Sequence, residues 1–148
     1  MKKPRRTKSR PFIQLLKHVG NSDEYGQLSG SAVKLLIELH LQYNGHNNGD
    51  LCATWSQLRK RGFKSKGTLS RSLKELIATK FIVLSRISYQ WQKPNLYAIT
   101  YLSIDECNGK LDIKETVTAP NSWRTEIQLA TPYEYLGTPH EYLQSGKT

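Results

Sequence analysis

The sequence predicts an α+β fold, a three-helix core followed by a small antiparallel β-hairpin, with extensions at both termini. Two patterns and a length argue for it. Apolar residues recur at helical spacing through Ala32, Leu35, Leu36, Leu39 and Tyr43, and again through Leu69, Leu73, Leu76 and Ile77. The β-rich runs 81–89 and 96–102 then flank a polar break, QWQKPN. A chain of 148 residues is sized for one domain with tails, which leaves too little for a two-domain enzyme.

The order divides into a basic arm (1–11), a folded domain (12–102) and a partly irregular C-terminal extension (103–148). The arm, MKKPRRTKSR at its start, has no apolar pattern and is expected to be disordered when free. Ser29 is placed to cap the first long helix, and Asn44-Gly45 to end it, Gly45 accepting positive φ. Val33, Ile37 and Leu41 lie off the main stripe, so this helix should be buried on more than one side. NGHNNGD (44–50) reads as a turn, since it lacks the acidic spacing of a calcium loop, and Leu51-Cys52 as a short extended piece. Thr54 is read as the cap of a two-turn helix, Trp55 to Arg61, closed by Gly62. Ser65 caps a third helix from Lys66 to about Thr79. Pro94-Asn95 is read as the turn between the two strands.

Charge points to function. The chain holds 22 Lys and Arg against 12 Asp and Glu, a formal +10. Residues 1–18 carry +7 and residues 55–94 carry +9, with Glu75 the one acid in the second block; everything else sums to −6. Two concentrated basic blocks in a small chain favour a polyanion, and above all nucleic acid.

Two helices joined through Gly62, the second with slim polar and basic side chains on its leading turns and an apolar rear face, meet what the major groove demands of a reading helix. The order helix, short strand, helix, turn, helix and two-stranded hairpin over 29–101 resembles a winged helix-turn-helix. The stretch LSGSAVKLLIELHLQYNG…WSQLRKRGFKSKGTLSRSLKELIATKFI is similar to small winged-helix proteins of bacterial mobile elements and phages, and more distantly to replication-initiator and MarR-like domains. The resemblance covers about half the chain and implies a recognition helix, 65–79, with a compact wing, 88–95.

It follows that Ser65, Lys66, Thr68, Ser70, Arg71 and Lys74, with Lys64 before them, are expected nearest the DNA. Ser65 serves as a helix cap first and a phosphate contact second. Lys93 at the hairpin tip is expected on the backbone, Trp91 there is the better of Trp55 and Trp91 as a base-stacking platform, and Arg5 and Arg6 of the arm are expected on phosphates or in a minor groove. Trp55 reads as a packing residue.

The C-terminal third contains a tandem near-repeat, TPYEYLG (131–137) and TPHEYLQ (138–144), each placing Thr, Pro and Glu as in a capping box. Residues 131–144 could dock a protein partner or pack on the domain. Cys52 and Cys107 lack a CxxC, and His18, His40, His46 and His140 lack ligand spacing, so no metal or cofactor is expected. No P-loop, GxSxG or HExxH is present, which argues against an enzyme. No apolar run is long enough for a bilayer span, and a cytoplasmic, nucleoid-associated protein is expected. The leading expectation is a sequence-specific binder of double-stranded DNA in transcriptional regulation or replication initiation, with a homodimer left open. The alternative is a protein–protein adaptor using the winged helix or the TP-x-EYL repeats.

Overall fold

The computed structural model describes residues 10–90 and 92–124; Arg5, Arg6, Trp91 and the repeats at 131–144 lie outside the described residues. Two single-turn helices, α1 (Lys17–Gly20) and α2 (Asp23–Gly26), precede the first long one. Ser22 joins them: its hydroxyl accepts from the Tyr25 amide at 3.2 Å and donates to the Val19 carbonyl at 2.6 Å. Val19 is fully buried, so this short stretch closes one side of the core.

Helix α3 (Gly30–Gln42) starts where Ser29 Oγ accepts from the Ala32 amide at 3.2 Å. Its stripe of Ala32, Leu35, Leu36 and Leu39 is completely buried. The off-stripe residues bear out burial on more than one side only in part: Val33 and Ile37 are half-buried, Val33 against the core, while Leu41 is exposed. The helix also ends before Asn44-Gly45, because Tyr43 is already extended at φ −70 and ψ 125; Gly45, at φ 104, turns the loop beyond it.

Helix α4 (Trp55–Leu58) tightens into a 3-10 turn over Arg59–Arg61, which Gly62 stops at φ 98. Thr54 holds the capping position without capping, since its hydroxyl goes to Ser56 Oγ and Gln57 Oε1. Helix α5 (Lys66–Ala78) lies against α3 and touches α4, burying Leu69, Ser72 and Leu76. The Ser72 hydroxyl is satisfied by the Thr68 carbonyl at 2.8 Å.

Strands β1 (Ile82–Arg86) and β2 (Leu96–Ile99) form an antiparallel pair in the register Ile82 to Ile99, Val83 to Ala98 and Leu84 to Tyr97. The register shifts between Leu84 and Arg86, and the Ser85 hydroxyl there donates to the Gly49 carbonyl at 2.6 Å. On the other edge of β2, Leu51 bridges Tyr97, realising the short extended piece. The architecture is thus α+β: helices packed on a two-stranded antiparallel sheet.

The segment after residue 102 does more than extend the domain. Trp123 is buried and stacks on Phe81 with centroids 5.5 Å apart, and Ile104 is buried as well. Asn48, fully buried in the loop before Leu51, stands in for a missing strand. Its Oδ1 accepts from the Ile99 amide at 2.8 Å, and its Nδ2 donates to the carbonyls of Ile99 at 2.9 Å and Ser103 at 2.8 Å. Next to it Gly49 sits at φ 128, where a Cβ would fall 2.5 Å from Leu111 Cδ1. Among the described residues no helix is long and apolar enough to cross a membrane.

Candidate nucleic-acid interface

The candidate face is assembled from the turn at Gly62, the leading turns of α5 and the hairpin. Phe63 is the anchor of the turn: it is buried, and its amide donates to the Leu58 carbonyl at 3.2 Å, while Lys64 and Ser65 just after it are exposed. Lys34 of α3 reaches the same turn. Its Nζ lies 3.3 Å from the point where a Gly62 Cβ would be.

Three of the expected side chains are joined. Ser65 Oγ accepts from the Thr68 amide at 3.1 Å, Thr68 Oγ1 lies 2.8 Å from Ser65 Oγ, and Arg71 Nη2 donates to Thr68 Oγ1 at 3.3 Å. A guanidinium only donates, so Thr68 Oγ1 accepts from Arg71 and shares a second hydrogen bond with the Ser65 hydroxyl. The cap of α5 therefore also holds Arg71 against the first turn, its remaining N–H groups in water. Lys66, Ser70 and Lys74 are exposed and, at i, i+4 and i+8, share one side of the helix, away from the Leu69 and Leu76 stripe.

Two acids, Glu75 and Glu38, are engaged by partners, and Asp112 stands on the outer edge of the hairpin, accepting from the Ile87 amide. Glu75 accepts from the Ser29 amide at 2.8 Å and from its hydroxyl at 2.6 Å. Glu38 takes Arg61 in a forked ion pair, 2.8 Å to Nε and 3.3 Å to Nη2, which raises the Arg61 pKa further. Counting charge by segment therefore overstates the basic block by one, because the partner of Arg61 comes from α3. What stays unpaired on α5 is donor-rich: ammonium, guanidinium and hydroxyl groups suited to phosphate oxygens and base-edge acceptors.

The hairpin reverses earlier than Pro94-Asn95. The Lys93 amide donates to the Gln90 carbonyl at 2.9 Å, closing the turn, and Asn95 instead ties the returning leg by accepting from the Ser88 amide at 2.8 Å. Arg86 is spent on the same leg, donating to the Pro94 carbonyl at 2.9 Å. Lys93 is exposed. The hairpin springs from the C-terminal end of α5, held there by Phe81 N to Leu76 O at 3.0 Å and by the Thr100 hydroxyl on the Lys80 carbonyl at 2.7 Å.

Sequence reasoning missed two residues. Lys34 reaches the turn only through the packing of α3, which leaves no mark in the local pattern. Tyr89, 89% exposed beside the hairpin turn, was legible as an aromatic in a hairpin loop but was passed over for Trp91. Both cysteines are free, and no cluster of His, Cys, Asp or Glu among the described residues could hold a metal ion. In comparisons with known proteins, no family model, no curated protein and no solved structure matches the chain significantly.

Proposed function

We propose that the protein is a sequence-specific binder of double-stranded DNA, built as a winged helix-turn-helix, which acts in transcriptional regulation or replication initiation on the DNA of the cytoplasm. In this reading α5 enters the major groove with Arg71 and Ser70 toward base edges, while Lys64, Lys66 and Lys74 meet flanking phosphates. The hairpin lies along the backbone with Lys93 on a phosphate, and Arg5 and Arg6 extend the contact from the arm.

The observation that supports the reading best is the hydrogen-bonded run Ser65, Thr68, Arg71 on the leading turns of α5. A guanidinium held in one direction can discriminate guanine. Selection from a random duplex library, followed by mobility shifts of the selected and a scrambled duplex at two salt concentrations, tests it. The expected result is a preferred sequence whose advantage survives at the higher salt. Equal affinity for the selected duplex, the scrambled duplex and heparin would refute sequence recognition.

A further inference from the structure

We infer that Tyr89 is a stacking platform for an unpaired nucleobase, so that the hairpin engages DNA that is locally opened as well as paired. The inference rests on the DNA-binding reading and adds to it a second site with a different ligand. Tyr89 leaves 89% of its surface in water and has no hydrogen-bond or ring partner among the described residues. Among the described residues it gains little from burial. Ile87 beside it is 47% exposed.

The mount beneath the ring is held on both legs. Ser88 N donates to Asn95 Oδ1 at 2.8 Å, and Arg86 binds the Pro94 carbonyl. On the outer edge Asp112 accepts from the Ile87 amide at 2.9 Å, while its own amide donates to the Ser85 carbonyl at 2.8 Å. That edge is therefore taken, and the tip is not offering a strand for pairing. Arg86 and Lys93 stand on the two legs beside the turn, and the one acid bonded to the hairpin among the described residues is Asp112 on its outer edge.

An exposed aromatic on a turn whose two legs carry Arg86 and Lys93 suits a base flanked by its phosphates, the combination used wherever single strands are held. In an intact duplex both faces of every base are covered by neighbours, so the free face must belong to a base that is bulged, mismatched or melted out. A protein partner fits less well, because stable protein interfaces bury about 800 Å² per side and one tyrosine with one isoleucine supplies a small part of that.

The test uses the full chain with two duplexes of the selected sequence, one fully paired and one carrying an unpaired 2-aminopurine beside the site. Affinity is read by anisotropy and stacking by 2-aminopurine fluorescence. The wild type is expected to prefer the unpaired duplex and quench the probe. Tyr89→Phe should keep both properties, and Tyr89→Ala should lose the quenching and about 5- to 150-fold in affinity on that duplex alone. Tyr89→Ala should unfold at the wild-type temperature, which separates the loss from misfolding. Equal behaviour of Tyr89→Ala and wild type on both duplexes, while Arg71→Ala weakens both, would overturn the inference and leave the DNA reading standing. A loss equal on paired and unpaired duplexes would also overturn it, assigning Tyr89 to the backbone. Failure of the wild type to bind either duplex would sink the DNA reading and this inference together.

Discussion

The carboxylate of Glu75 in α5 closes on both donors of Ser29, its amide at 2.8 Å and its hydroxyl at 2.6 Å, across 46 positions of sequence. The same hydroxyl accepts from Ala32 N, so a single serine starts α3 and receives α5. The carboxylate also sits at the positive end of the α3 dipole. Glu75→Gln should lower the unfolding free energy by about 1–2 kcal/mol, because charge-assisted bonds weaken and the dipole loses its counter-charge, with the exposure of Ser29 limiting the loss. Urea denaturation measures this. DNA affinity at low salt should stay level or rise, since the α5 region loses its one acid. A variant as stable as the wild type would show that the contact does not hold the helices together.

Asn48 supplies the second prediction. Replacing it with Ala strips partners from the Ile99 amide and from the Ile99 and Ser103 carbonyls in a site with no access to water. Each buried group left unpaired costs about 1–3 kcal/mol, so a total of about 3–5 kcal/mol is expected. Asn48→Asp should be worse still, because it keeps the shape but turns the donating end into an acceptor facing carbonyl oxygens. Thermal unfolding of the two variants should rank Asp below Ala; the reverse order would mean that the loop rearranges around the change.

Those two contacts also mark where the sequence stops being readable. Ser29, Ser65 and Gly62 were legible because a cap or a stop is a local event: the side chain bonds an amide three residues on, or the backbone needs positive φ. The strands were legible by their β-branched and aromatic runs. Thr54 was misread because its hydroxyl had closer competitors in Ser56 and Gln57 than the helix amides. Asn95 was misread as a turn residue because its side chain bonds across the hairpin and not along it. Trp123, the Glu38 partner of Arg61 and the role of Asn48 all depend on segments that are distant in the chain, and no periodicity encodes them. For the interface, the residue types on α5 were apparent from spacing, whereas the link from Thr68 to Arg71 required a rotamer.

The pH dependence of stability should carry the signature of His40. Its ring is buried, its Nδ1 lies 3.0 Å from the Tyr101 hydroxyl, and burial lowers its pKa below the ordinary 6.5. The folded state therefore resists the proton that the unfolded chain accepts. Its contribution to stability is complete above pH 6.5 and is lost as the pH falls from there toward the lowered folded value. His40→Gln, which keeps a polar group near Tyr101 but does not titrate, should show a smaller drop in urea midpoint between pH 7 and pH 5 than the wild type. Parallel profiles would exclude His40 as the source.

The last prediction separates holding Arg71 from merely having it. If Arg71 reads a base edge, Arg71→Ala should cost about 1–3 kcal/mol on the selected duplex and flatten the preference over a scrambled one. Thr68→Val removes the acceptor that orients the guanidinium while leaving the Thr68 amide on Ser65 and all the charge in place. Its affinity for scrambled DNA and its salt slope should match the wild type, and only the specific-to-scrambled ratio should fall, by about 2- to 10-fold for one hydrogen bond. Lys74→Ala and Lys93→Ala should do the opposite, weakening both duplexes alike and reducing the slope of log K against log salt by about 0.9 each. Mobility shifts at several salt concentrations resolve these patterns. A Thr68→Val variant that loses affinity for every duplex would mean that Thr68 supports the α5 cap and has no part in directing Arg71.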